Sequence, residues 1–401
     1  MIVYNCVTLV LLSLLPHIHN KLIADGLRSK LASIVLSKTN TSTAIVSLPL
    51  RLALCKLTQH AEGEAKSELL SILGFQTEGK LSVCLSAVQN VLTTLESFDF
   101  IMLSRILTND TDEYTNTFLK PSFSVQVDKV KYHQNNSAVN YVNNLISTKT
   151  LQRLKYILNN DDINNRTSLM LVSAVYFKMT WEIPFDLKKT RISKFRGFDR
   201  NISLVPMMSQ DNLYLFLIDD GLGLKMIDIK LATQGLSMFI VLPDDANSMA
   251  YFLSSVLTEP NFIRSIKNRM KLRMLTLNLP RFKIKSLVNW KWDLQQMGLQ
   301  KIFLSNETGL DSALKNNTKR HLYVSGVKQK TFIEVDEMGV LRGDGLRHEF
   351  ERSQDDIISM TNPTLEFTAD KPFYFSILIH YDLSDYKNTE DLLNGVYYGP
   401  Q

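Results

Sequence analysis

Apolar positions in the first quarter of the chain recur three and four residues apart. Segment 22–38 carries Ile23, Leu27, Leu31, Ile34 and Leu36 on or near one face, which predicts an amphipathic helix. The same spacing predicts helices over 50–60, 64–73 and 81–98, with Gly74 ending the third of these four. From Phe100 the pattern changes. Segments 100–107 and 123–130 predict strands, joined by a helical stretch at 111–119, and 137–148 predicts another helix. Segment 168–178 is an almost unbroken run of apolar, branched and aromatic residues, as expected of a strand covered on both faces. Further strands are predicted at 213–218, 224–230, 236–242, 272–280, 331–335 and 372–379. Helices first and sheets later make an α+β arrangement rather than alternating βαβ units.

The 401 residues are 45% hydrophobic and 21% charged, which is globular rather than disordered composition. No repeat, low-complexity tract or linker divides them, so one large domain is expected. A domain of this size buries enough surface to fold without a disulfide or a metal. The net charge of +5 is too mild and too dispersed to argue for nucleic acid.

The N-terminus adds a destination. Residues 2–16 are nearly all apolar, centred on the run 7–15, too short to span a bilayer and suited to a secretory signal. Segment 1–20 is therefore expected to be removed, leaving 21–401 as a secreted monomer. No Lys or Arg precedes the run, so an uncleaved membrane anchor is the second reading. Cys6 would leave with the signal, and Cys55 and Cys84 lie in apolar helical patterns as expected buried thiols. Asn40, Asn109, Asn135, Asn165, Asn201, Asn306 and Asn316 head glycosylation sequons, which fits secretion.

Signs of catalysis are missing. The chain has no Gly-x-Ser-x-Gly elbow, no phosphate-cradling glycine loop and no His-Glu-x-x-His pair. His60, His133, His321, His348 and His380 are scattered without metal-ligand spacing. The chain is expected to be no enzyme, with no cofactor and no metal.

Several motifs, in order along nearly the whole chain, resemble those of the serpins. Ala174-Val175-Tyr176-Phe177-Lys178, followed by Trp181, Phe185, Thr190 and Phe195, is the strongest. Val205-Pro206-Met207-Met208, 236–243, Leu279-Pro280-Arg281-Phe282 and Met297-Gly298-Leu299 follow. Phe332-Ile333-Glu334-Val335-Asp336-Glu337-Met338-Gly339 resembles the approach to the family's hinge. Phe367-Thr368-Ala369-Asp370-Lys371-Pro372-Phe373 resembles the exit from its reactive loop. The resemblance implies a single domain of about nine helices and three β-sheets, with an exposed reactive loop at about 340–366. It implies a serine protease as partner, cutting the loop, and insertion of the cut loop into the main sheet as a new strand.

Within that loop Arg342, Arg347 and Arg352 suit a trypsin-like protease. Counted from Gly339, the family's usual cut falls near residues 352–353, so the resemblance implies the Arg352–Ser353 bond. The hinge would comprise Glu337, Met338, Gly339, Val340, Arg342 and Asp344. Strand alternation sets Arg342 and Asp344 on the same side as Val340, and family members carry small residues there. Burying those charges opposes insertion. At the top of the sheet Trp181 matches the family, and Glu337 and Arg281 match its Glu–Lys pair. The family's sheet-opening cluster of two serines, an asparagine and a histidine corresponds here to Val46, Pro49, Ser173 and Gln329, all four changed.

Two functions stay open: a secreted inhibitor of trypsin-like proteases, and a non-inhibitory relative acting as carrier, decoy substrate or adhesive ligand. Arg342-Gly343-Asp344 spells an integrin-type adhesive tripeptide, which belongs to the second reading. Arg269, Lys271 and Arg273 alternate with apolar residues and, on one strand, would set three cations on one face, which is expected to be an ordinary solvated face, with a glycosaminoglycan site as the alternative.

Overall fold

The computed structural model describes residues 25–75, 77, 100–178, 180–259, 262–306, 308–315, 321–337, 365–380 and 389–400. The expected α+β architecture is present. The leading helices are α1 (Asp25–Ser37), α2 (Ser47–Thr58) and α3 (Gly63–Leu73), with the short strand β1 (Thr43–Ile45) between the first two. Helix α2 is buried almost all round, Cys55 included. Helix α3 stops at Gly74, whose φ of 74° is left-handed and lets its N–H reach back to the carbonyls of Leu70 and Ser71.

A five-stranded sheet runs in the order β10 (Phe282–Asn289), β11 (Val324–Val335), β4 (Leu169–Lys178), β2 (Phe100–Asn109) and β3 (Val125–Val130). Nine of the ten residues of β4 are buried, as its apolar run predicts. Helix α5 (Asn135–Lys149) covers one face of this sheet, packing Val139, Val142 and Ile146 with Met170, Val172, Tyr176 and Phe332. The segment 150–164 leaves α5 as a strap over the sheet. Asn143 fixes it, donating to Leu158 O at 2.9 Å and accepting from Ile157 N at 2.9 Å and Leu158 N at 3.0 Å.

The remaining nine strands form one sheet through β1, β14 (Thr389–Tyr397), β13 (Phe373–His380), β8 (Leu236–Pro243), β7 (Leu224–Lys230), β6 (Ile202–Asp219), β9 (Lys271–Pro280) and β12 (Leu365–Thr368), with β5 (Arg191–Arg196) also on β6. Strand β6 spans 18 residues. It pairs with β9 over 207–216 and with β7 over 215–219. That continuity is why the described residues hold two hydrogen-bonded sheets where three were expected. They also hold eight α-helices rather than nine, completed by α4 (Asn116–Leu119), α6 (Ala246–Ser254), α7 (Phe262–Arg269) and α8 (Lys291–Gln296); the helix expected at 81–98 lies outside them.

Two other expectations shrink. The helix expected at 111–119 is a single turn, because the backbone before it is used elsewhere: Thr115 N donates to Ala313 O and Lys315 N to Glu113 O, both at 2.9 Å. The strand expected from Phe123 starts at Val125, since Phe123 and Ser124 have φ of 56° and 58°.

One buried polar group in the large sheet titrates within reach of ordinary buffers. Ser237 Oγ donates to Asp228 Oδ1 at 2.6 Å and lies 2.7 Å from His380 Nε2, so that nitrogen carries the proton. His380 Nδ1 then accepts from Thr389 Oγ1 at 2.8 Å. Asp228 also pairs with the buried Lys267 of α7. Burial, with Lys267 adding to it against the opposing pull of Asp228, lowers the imidazole pKa from 6.5 to about 4. The unfolded chain thus binds a proton near pH 6.5 that the folded chain refuses until about pH 4. The contribution to stability is complete above pH 6.5 and is lost as pH falls towards 4, by roughly 3 kcal/mol at most. His380→Gln is expected to flatten the fall in melting temperature between pH 7 and pH 4.5. Thermal scans of both proteins across that window check it, and parallel slopes would refute it.

Candidate functional site

The two ends of the expected bait loop are built very differently from ordinary loop ends. At the N-terminal end β11 runs into Asp336 and Glu337, and Glu337 is only 2% exposed. Trp181, buried against Phe185 with ring centres 5.6 Å apart, donates its indole N–H to Asp336 O at 2.7 Å. Phe185 N donates to Glu337 O at 2.8 Å. The Glu337 carboxylate accepts from Thr190 Oγ1 at 2.9 Å and lies 3.6 Å from the guanidinium of Arg281. Lys178 holds Asp336 at 3.3 Å, and Lys283 holds Glu334 at 2.8 Å. Every polar residue at the tip of β11 is therefore tied to a different element. A buried carboxylate needs such partners, because unpaired it would cost several kcal/mol.

At the C-terminal end β12 pairs in parallel with β9 through Leu365 opposite Leu275 to Thr368 opposite Asn278. The Asn278 amide donates to Glu366 at 2.6 Å and to Thr368 at 3.0 Å, and Phe367 is fully buried edge-on to Phe216. The two anchors lie in different sheets. Met338, Gly339, Val340, Arg342, Asp344, Arg352 and Ser353, which come between them in sequence, lie outside the described residues; so, elsewhere in the chain, do Cys6, Cys84, Asn316 and segment 1–20.

Between β11 and β4 the strands are parallel, paired from Val324 opposite Leu169 to Glu334 opposite Lys178. The four altered cluster residues meet at the middle of this seam. Gln329, fully buried, accepts from Val46 N at 3.0 Å through Oε1 and donates through Nε2 to Val46 O at 2.6 Å and Ser173 Oγ at 3.3 Å. Ser173 sits opposite Ser104 of β2, and Ser104 Oγ donates to Pro49 O at 3.0 Å. Polar contacts at the same level thus tie β11 to β4 and to the residue before α2, and β2 to the first turn of α2. Ser104 was not anticipated, because the pairing of β2 with β4 is invisible in the sequence.

A family model described as Serpin (serine protease inhibitor) matches residues 29–382. The chain belongs to the serpin family. The antitrypsin of Bombyx mori is 27% identical over 329 residues, covering 81% of this chain and 82% of its own. A serpin of the insect Tenebrio molitor, Serpin48, superposes with a TM-score of 0.77 at 21% identity, covering 94% of this chain and 96% of its own. Native protease nexin-1 with heparin superposes with a TM-score of 0.78 at 22% identity, over 94% of this chain and 98% of its own. These two structural likenesses bear on the fold alone.

The other predicted sites fare unevenly. Asn40, Asn135, Asn165, Asn201 and Asn306 are exposed. Asn109 is buried at the end of β2, its side-chain Oδ1 accepting from Thr111 N at 3.4 Å, and leaves no room for a glycan in this serpin's folded state. The three-cation strand face also fails. Arg269 closes helix α7 and pairs with Asp219 at 2.8 Å, so only Lys271 and Arg273 stand on β9.

Replacing Gln329 by Leu removes both bonds to the Val46 peptide groups and leaves them buried without that partner. The expected loss is about 2–4 kcal/mol of stability in the intact protein. Guanidinium unfolding of the two proteins measures it; an unmoved midpoint would show that the amide does not latch the seam.

Proposed function

We propose that the chain is a secreted serpin that offers the segment 340–366 as bait to trypsin-like serine proteases, with cleavage at Arg352–Ser353. The observation that carries this reading is the pair of rigid anchors. Asp336 and Glu337 on one sheet and Leu365 on the other bracket a polar stretch that contains all three candidate arginines. A trypsin-like enzyme needs an Arg or Lys side chain offered on an accessible backbone, and the sequence between the anchors carries three arginines.

The seam gives the cut chain somewhere to go. Neighbouring strands β11 and β4 run the same way. A chain leaving β11 and doubling back between them would be antiparallel to both, replacing one parallel ladder by two antiparallel ones. Glu337, Met338, Gly339, Val340, Arg342 and Asp344 form the hinge on which this turns. Segment 1–20 acts as the signal and 21–401 as the mature monomer, and the five exposed sequons support passage through a secretory route. No enzymatic activity, cofactor, metal or nucleic acid enters this reading.

A specific feature favours the second reading, a decoy substrate. Arg342 and Asp344 would face the core of an inserted strand, where each new backbone bond returns only about 1 kcal/mol net. A trap that inserts more slowly than it releases the cut product is consumed as substrate. Adhesion through Arg342-Gly343-Asp344 belongs to this second reading too.

Mixing the protein with trypsin is expected to give a protease adduct that survives denaturant on a gel, and Arg352→Ala is expected to abolish it. Conversion to a cut chain alone, with cleavage after Arg352, would leave the decoy reading standing and remove the inhibitor reading. Replacing Arg342 and Asp344 together by Ala is expected to raise the melting temperature of the cleaved form and the yield of adduct. If neither changes, the hinge charges do not limit insertion.

A further inference from the structure

The large sheet carries an amine and a carboxylate in contact where water does not reach. Asp228 of β7 stands opposite Phe239 of β8, two residues along from Ser237. Ser237 stands opposite Leu378 of β13, two residues before His380. Side chains alternate along a strand, so Asp228, Ser237 and His380 project from one face of three adjacent strands. Helix α7 meets that face, burying Phe262, Ile266 and Lys267. Lys267 Nζ touches Asp228 Oδ2, and the two side chains are only 1% and 2% exposed. The pair of Lys328 with Asp162, by contrast, leaves 13% of each side chain exposed.

Two charges buried so deeply lose their hydration, and only their mutual attraction offsets the loss. Burial lowers the Lys267 pKa, with Asp228 pulling the other way, so the uncharged amine is closer in energy than on a surface lysine. The second carboxylate oxygen is held separately. Ser237 Oγ donates to Asp228 Oδ1 at 2.6 Å, and the His380 Nε2–H backs that hydroxyl at 2.7 Å. Asp228 thus offers one oxygen to an amine and the other to a fixed hydroxyl donor. Acyl transfer needs the same two things: a nucleophile held in place, and a donor where negative charge develops.

We propose that Lys267 and Asp228 condense into an intramolecular amide that fastens α7 to β7, with Ser237 stabilising the oxyanion. Lys267 begins with three N–H protons. One passes to Oδ2, leaving a neutral amine beside a carboxylic acid. The Nζ lone pair forms a bond to Cγ, and an electron pair of the C=O bond moves onto Oδ1, where Ser237 donates to it. That pair then returns, the Cγ–Oδ2 bond breaks, and a second N–H proton leaves with the Oδ2 hydroxyl as water. The amide nitrogen keeps the third proton, and nothing is oxidised or reduced. A neutral amide replaces two buried charges, and the dry interior opposes the return of water. With both charges gone, burial still holds the His380 pKa down, being the largest cause of its shift. The site uses no residue of the bait segment and does not depend on the bait-loop reading.

The test is the mass of the unglycosylated full chain, recovered unfolded from inclusion bodies, refolded, and denatured again for measurement at successive times. The refolded protein is expected to become one water lighter than its sequence. Digestion is expected to yield a branched peptide joining the stretch around Asp228 to that around Lys267. Lys267→Arg keeps the positive charge but offers no amine, and is expected to stay at full mass. Ser237→Ala is expected to form the amide at least about tenfold more slowly, with its melting temperature verifying the fold. A refolded wild type that stays at full mass, with both peptides linear, overturns the proposal, whatever the variants do. So does a loss of water that persists in Lys267→Arg, which would place the dehydration elsewhere, for instance at Asp344-Gly345. An unchanged rate in folded Ser237→Ala overturns the oxyanion geometry.

Discussion

The parallel seam between β11 and β4 is the constraint around which the rest of the molecule is arranged. Parallel pairing is slightly weaker per residue than antiparallel, yet this pair runs along the whole of β4, with one register shift between Val324 and Gly326. It is reinforced from three directions. Gln329 clasps Ser173 across the seam and Val46 beneath it. Glu337, Trp181 and Arg281 hold the top of β11 to the segments that follow β4 and β9. The strap lies over β11, tied by Lys328 to Asp162 and by Lys330 to the carbonyls of Lys155 and Tyr156. All three sets would have to yield for the seam to part along its length.

What could be read from residues follows what burial makes visible. Strand β4 is plain because nearly every position is covered, and α3 is plain because Gly74 marks its end. Strand β10 was passed over although Phe282, Ile284 and Ser286 face in while Lys283, Lys285 and Leu287 face out. Its alternation is regular, but a serine inside and a leucine outside blur it. Strand β14 hides for another reason. Gly395 stands opposite Phe375, so the apolar contact at that point is supplied by the partner strand. Strand β6 was seen only at its far end, because Ser209, Gln210, Asp211 and Asn212 interrupt the pattern while the backbone continues in the ladder with β9.

The seam cluster shows the same limit at a site. Comparing residue types at Val46, Pro49, Ser173 and Gln329 suggests a lost network, since two hydroxyls, an amide and an imidazole are gone. The geometry restores it, because hydrogen bonding depends on reach as well as on identity. A glutamine has one donor group and one acceptor at the end of a long side chain, and Val46 offers both complements on its own backbone. The replacement therefore shifts the bonds from side chains to a peptide group. A backbone partner cannot turn away by changing rotamer, so the exchanged cluster is stiffer at α2 than one made of hydroxyls.

That stiffness acts in the same direction as the charges of the hinge, though by a different route. The Gln329 clasp stabilises the closed seam and so raises the barrier to opening it. On the proposed function, charges at 342 and 344 would lower the gain from an inserted strand if they were left unpaired. These two charges are opposite in sign and two residues apart, so on an inserted strand they would share one face at roughly 7 Å. Arginine can span that distance to an aspartate, turning two unpaired charges into one buried pair. Such a pair is often close to neutral in stability, whereas removing one member strands the other at a cost of about 3–5 kcal/mol. The informative change at the hinge is therefore the simultaneous replacement of Arg342 and Asp344, since either single replacement would burden insertion with a lone charge and mimic the effect it was meant to relieve.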